Sequence, residues 1–198
     1  MRVTAEAYCV LGIDPAAAGA TGFGVVEREG NHCRMLRLGA VRPSNRLSVA
    51  ANTHLCYIHK SISELIQEFQ PRAVALESVF AALNVKAALR LAEVRGVVLL
   101  AAAQAGVPSF SYSPREVKAT VAGYGHAGKE QVQQMVRALL SMTETPEPAD
   151  AADALALALC HIQIAEAKER IASCYAGPAA SAILLKTKRR QNSYPKTT

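Results

Sequence analysis

Hydrophobic positions along this chain fall into two rhythms. Tyr8 to Ile13 (YCVLGI) is an almost unbroken apolar run of strand length, stopped by Asp14 and Pro15, and it predicts a buried central strand. Thr21 to Glu27 (TGFGVVE) predicts a second strand and the run from Cys33 (CRMLRLGAV) a third, with Glu29-Gly30-Asn31 as the hairpin turn. These three form an antiparallel meander. Gly22 and Gly24 are two residues apart, on one face, where another group could come close to the backbone.

The rhythm then changes. Between Asn45 and Phe69, Leu47, Ala51, Leu55, Ile58, Ile62, Leu65 and Ile66 recur at three- and four-residue spacing, which predicts an amphipathic helix closed by Gln70-Pro71. AVALE, Ala73 to Glu77, predicts a fourth, buried strand. Asn84 to Ala105 predicts a helix ended by Gly106 and Pro108, and Ser109 to Tyr112 a short fifth strand. Ser113, Pro114 and Glu116 then carry helix-start chemistry: an N-cap, a proline at the first helical position and a capping box. The loop GYGHAG (Gly123 to Gly128) leads into a helix over Lys129 to Leu140. TETPEP is a linker, and an alanine- and leucine-rich helix runs from Ala149 to Ala172. The class is α/β: a mixed five-stranded sheet, three antiparallel strands and then parallel additions through helical crossovers, flanked by helices.

Composition narrows the picture. The chain has 198 residues, 51% hydrophobic and 19% charged, enough for one well-cored domain. That domain is expected over residues 1–172. Residues 173–198 are expected to form a basic, weakly ordered tail, since Lys186, Lys188, Arg189, Arg190 and Lys196 face no acid there. No apolar run is long enough for a membrane span. The N-terminal segment contains Glu6 and has no leader-like apolar stretch, which argues against secretion. Five scattered cysteines without a CxxC pair argue against a zinc site or a disulfide framework and fit a cytoplasmic location. Within the globular part, residues 84–137 hold Lys86, Arg90, Arg95, Arg115, Lys118, Lys129 and Arg137 against three glutamates, so a polyanion is a natural partner.

The chemistry lies in four acids on otherwise oily segments. Asp14 and Glu77 end buried strands, and the carboxyl ends of strands are where α/β sheets bind ligands. Asp150 and Asp153, at i and i+3, share one face at the start of a helix. Taken singly, each has an ordinary explanation: a turn, a strand-end acid facing water, or an acid favoured by the helix dipole. Together they are costly to cluster without a cation, and four hard oxygen donors suit magnesium or manganese. Two such ions can activate a water and stabilise the departing oxygen of a phosphodiester.

GIDP with TGFGVV, ALESVFAALN, AALRLAEVRGVVLLAAAQAGVP, SPREVKATVAGYGHAGKEQVQQMV and ADAADALALALCH, in that order from Val10 to His161, resemble the RuvC family of crossover (Holliday) junction endodeoxyribonucleases. The resemblance implies a ribonuclease-H-like fold and a magnesium-dependent homodimer, with two ions per active site and manganese as a possible substitute. It implies paired, symmetric nicking of two like-polarity strands at a four-way DNA junction, in recombination and repair, alongside the RuvA–RuvB branch-migration complex. Its acidic tetrad falls on Asp14, Glu77, Asp150 and Asp153, its two lysines on Lys118 and Lys129, and its base-stacking aromatic on Phe80. Arg115, beside Lys118, is a further candidate for DNA contact. The turn after Asp14 departs from the family pattern, with Ala16 where that family has glycine and a loop one residue longer. The alternatives are a catalytically silent junction-binding protein, another ribonuclease-H-like nuclease acting on RNA, and an actin-like nucleotide-binding domain. The last needs a second phosphate loop, which is not evident here.

Overall fold

The computed structural model describes residues 7–17, 19–42, 51–78 and 85–175. Three strands come first: β1 (Tyr8–Asp14), β2 (Thr21–Glu29) and β3 (His32–Val41). Then follow α1 (Ala51–Phe69), β4 (Ala73–Glu77), α2 (Val85–Gln104), β5 (Ser109–Tyr112), α3 (Pro114–Ala122), α4 (Lys129–Leu139) and α5 (Ala149–Tyr175). The sheet order is β3-β2-β1-β4-β5. β1 pairs antiparallel with β2 and β2 with β3, while β1–β4 and β4–β5 are parallel. This is the mixed five-stranded sheet that the hydrophobic pattern predicts. The start of the first helix, placed at Asn45 from sequence, lies outside the described residues, as does the basic tail from residue 176 on. The chain divides into two compact units. Met1–Ile162 holds the sheet, α1 to α4 and the first part of α5. In Gln163–Thr198 the described part is the rest of α5, where Arg170 pairs with Glu166 one turn earlier.

Alternation along the strands sends side chains to opposite faces of the sheet. Leu11, Ile13, Val25, Val74 and Leu76 face one way, against Ile58, Ile62 and Ile66 of α1 and Val94, Val98, Ala101 and Ala102 of α2. Each fully buried aliphatic side chain contributes about 1.5–3 kcal/mol, so this layer holds the sheet rigid. Tyr8, Val10, Gly12 and Asp14 of β1 face the other way, toward α5. There Ala151, Ala152 and every residue from Ala154 to Ile162 is buried, which is what a helix apolar on all sides requires.

The contact between α5 and the sheet is backbone on backbone. Gly12 pairs with Gly24 and Asp14 with Gly22, so three glycines share the face beneath the helix. A Cβ on Gly12 would stand 1.9 Å from the Ala154 carbonyl oxygen, and one on Gly22 2.0 Å from the Asp150 carbonyl oxygen. No side chain fits between. Further along α5, the imidazole of buried His161 lies between two tyrosine hydroxyls, Tyr8 at 2.9 Å from Nε2 and Tyr112 at 2.7 Å from Nδ1. A neutral imidazole offers one donor and one acceptor nitrogen, and a tyrosine hydroxyl can answer either. The helix is thus fixed in its first turns by glycine contact and near its middle by hydrogen bonds.

Gly12→Ala and Gly22→Ala should each lift α5 from the sheet and lower the thermal midpoint by about 5 °C or more, given the ~1–3 kcal/mol cost of overpacking. Calorimetry of the two variants checks this, and unchanged midpoints would mean that the helix has room to spare.

Candidate active site

β1 is buried from Cys9 to Ile13 and reaches partial exposure at Asp14, where Pro15 ends the pairing. β4 lies beside it in parallel, with Ile13 next to Leu76, so Glu77 stands one residue further along, beside Asp14. The Glu77 peptide is tied down on both sides. The Ser78 amide donates to the Tyr112 carbonyl at 2.8 Å, and Arg95 Nη1 donates to the Glu77 carbonyl at 2.6 Å. Across β1 on the other side, Gly22 opposes Asp14 and carries the first turn of α5, which brings Asp150 and Asp153 to the same end of the sheet. From α4, Lys129 reaches Asp153, with Nζ 2.8 Å from Oδ2. The capping box expected at α3 is present in full. Ser113 Oγ accepts from the Glu116 amide, and the Glu116 carboxylate accepts from the Ser113 amide at 2.8 Å.

The electrostatics follow from this crowding. Burial pushes the Asp14 carboxyl up to about 7, and the charges of Glu77, Asp153 and Asp150 push the same way, with Lys129 opposing. Glu77 is raised as well, first by burial and then by Asp153. Lys129 is held above its ordinary value, chiefly by its hydrogen bond to Asp153. Two carboxylates ~5 Å apart repel by about 3 kcal/mol at an effective dielectric of about 20. Among the described residues, no three carboxylate, imidazole or thiol side chains close on a common point. The donor set itself is four carboxylates without sulfur or imidazole, which fits a hard divalent cation.

The family model for crossover junction endodeoxyribonuclease RuvC matches residues 10–161. The chain belongs to the RuvC family. The RuvC of Natranaerobius thermophilus is 43% identical over 162 residues, spanning 82% of this chain and 99% of that protein. The RuvC of Geobacter metallireducens is 43% identical over 164 residues, spanning 83% of this chain and 98% of its own length. Among solved structures, T. thermophilus RuvC in complex with a Holliday junction substrate superposes with a TM-score of 0.75 at 40% identity, covering 80% of this chain and 94% of that one. The fold is therefore ribonuclease-H-like.

In this member of the RuvC family, Asp14, Glu77, Asp150 and Asp153 stand near one another at the carboxyl end of the sheet, and Lys129 contacts Asp153 there. Lys118 lies half-buried on α3, one residue past Val117, which is buried. Arg115 is exposed on the same helix, and its side chain passes so near Gly125 that a Cβ there would sit 2.6 Å from the arginine Cγ. Phe80 lies outside the described residues. Two features of the site carried no sequence signal of their own. Gly12 was one small residue inside an apolar run, and Arg95 was one basic residue among several.

The raised Asp14 value carries a sign that can be measured. A carboxyl that titrates near 7 when folded, against 3.8 ordinarily, favours the folded state while protonated, so its contribution is full below about pH 4 and is lost as pH rises toward 7. In the presence of chelator, the wild-type thermal midpoint should fall between pH 5 and pH 8, and Asp14→Asn should flatten that slope. At pH 8 the variant should melt about 5 °C above wild type. Equal slopes would mean that Asp14 does not feel its neighbours.

Proposed function

We propose that this chain is a structure-selective endodeoxyribonuclease that resolves four-way (Holliday) junctions by hydrolysing one phosphodiester in each of two like-polarity strands. The reading rests above all on the gathering of four carboxylates and a lysine at one end of a fold whose relative was solved with a Holliday junction bound. Asp14, Glu77, Asp150 and Asp153 would hold magnesium, two ions per site, with manganese as a substitute. Bound there, such ions supply an activated water and stabilise the departing oxygen.

The remaining work belongs to side chains. Asp14 and Glu77 sit on strands and Asp150 and Asp153 on a packed helix, so the ligands are held by rigid elements. Lys129 pairs with Asp153 and would offset charge at the scissile phosphate. Lys118 and Arg115 on α3 extend this cationic surface toward the nucleic-acid backbone. Phe80, three residues past Glu77, would stack on a junction base.

Paired nicks call for two sites at a fixed separation, and α2 carries a seam suited to a second copy of the chain. Val85, Leu89, Ala92, Gly96, Leu100 and Ala103 follow one another at three- and four-residue spacing on its exposed face, with Val85 71%, Leu89 62% and Leu100 52% exposed. An isologous contact along this stripe would give the two-fold symmetry that a four-way junction matches. Among the described residues no helix is long and apolar enough to cross a membrane. A cytoplasmic homodimer acting with the RuvA–RuvB complex completes the reading.

Incubation with a synthetic four-way DNA junction tests the proposal. Symmetric paired nicks should appear with magnesium and not with chelator, and an RNA–DNA hybrid should stay intact. Asp14→Asn should lose nicking by a factor of at least ~1,000 while its junction affinity changes less than about threefold, since the basic surface is untouched. Tight binding without cleavage in the wild type would favour the silent junction-binding alternative, and cleavage of the hybrid would favour the RNA-directed one. Separately, Leu89→Arg with Leu100→Arg should give a monomer by light scattering and unpaired nicks, whereas a dimer of unchanged mass would place the seam elsewhere.

A further inference from the structure

Arg95 belongs to α2, on the face of the sheet opposite α5, and its neighbours Val94 and Val98 are part of the hydrophobic core. Its guanidinium nevertheless reaches the carboxyl end of the sheet. Nη1 donates to the Glu77 main-chain carbonyl at 2.6 Å, and Nη2 donates to the Ser111 hydroxyl on β5. The fork therefore spans two adjacent strands at the point where β4 delivers its acid. It touches the backbone of Glu77, whose carboxyl is raised by burial and by Asp153.

The geometry assigns Arg95 as a positioning residue that fixes the peptide plane of Glu77, and through it the aim of the Glu77 carboxylate toward bound metal. This rests on the reading of Glu77 as a metal ligand. The Ser78 amide is already held by the Tyr112 carbonyl at 2.8 Å, and the Arg95 bond immobilises the oxygen at the other edge of the same peptide group. A tilt of that plane is amplified along the glutamate side chain, and ligand geometry tolerates only about 0.5 Å and 10–20°. A neutral donor in place of arginine would make a weaker bond to the carbonyl. Lysine could reach one acceptor but lacks the rigid fork that joins both strands.

The test uses the full-length chain with Arg95→Ala, Arg95→Lys and Glu77→Gln. Manganese binding to the DNA-free protein is followed by electron paramagnetic resonance, and nicking of a four-way junction is titrated with magnesium. Losing a group that orients a metal ligand costs about 10–100-fold in metal affinity. Arg95→Ala is therefore expected to weaken manganese binding about tenfold. The magnesium needed for half-maximal nicking should rise similarly, while junction affinity in chelator stays at the wild-type level. Arg95→Lys should fall between Arg95→Ala and wild type. A merely structural arginine would lower the melting temperature and leave manganese affinity unchanged in whichever variant folds. If Arg95→Lys is folded by circular dichroism and binds manganese as wild type does, the assignment is overturned, even if Arg95→Ala fails to fold. Glu77→Gln separates the two readings. If it loses manganese and nicking while both Arg95 variants keep them, the positioning role fails and the site stands. If it binds and cuts like wild type, the site reading itself fails.

Discussion

A helix can bring the carboxylates of its first turn to the end of a neighbouring strand only if almost nothing lies between the two backbones. Here the absence of a Cβ at Gly12 and Gly22 meets that condition. The Asp150 and Ala154 carbonyl oxygens occupy the space that those side chains would take, and so the axis of α5 is set by main-chain contact rather than by a layer of side chains. The alanines of α5 complete the fit, since each lets the helix settle without a protruding group. Near the middle of α5, His161 between Tyr8 and Tyr112 resists rotation of the same helix. The positions of Asp150 and Asp153 follow from these contacts.

Placing the acids is one matter and tolerating them is another. Asp14 is pushed up to about 7, first by burial and then by the neighbouring charges of Glu77, Asp153 and Asp150. Lys129 offsets part of this charge at Asp153. The hydrophobic layer under α1 and α2 keeps β1 and β4 in register, so the strands cannot relieve the repulsion by moving apart. A divalent cation among these carboxylates would offset that repulsion, and the rigid core keeps the strands that carry Asp14 and Glu77 side by side.

Much of this is legible in the amino-acid sequence. Asp14 and Glu77 stand out because each ends an apolar run abruptly, and Asp150 and Asp153 because their spacing places both on one helical face. The capping box at Ser113 and Glu116 is local chemistry, and it is present with both hydrogen bonds. Gly22 and Gly24 point to a close approach, although not to the element that makes it. The contacts that the sequence hides depend on partners distant along the chain. Gly12 has its meaning only through Ala154, Lys129 through Asp153, Arg95 through Glu77 and Ser111, and His161 through tyrosines at positions 8 and 112. A periodic pattern fixes which face a residue takes, whereas the residue that meets it is fixed by how the sheet is ordered.

The most direct measurement of the central claim is anomalous diffraction from crystals soaked in manganese. Ordered manganese should appear at the carboxyl end of the sheet, ~2.2 Å from carboxylate oxygens of Asp14 and of at least one acid from β4 or α5. Manganese ordered elsewhere, with none in contact with Asp14, would contradict the account.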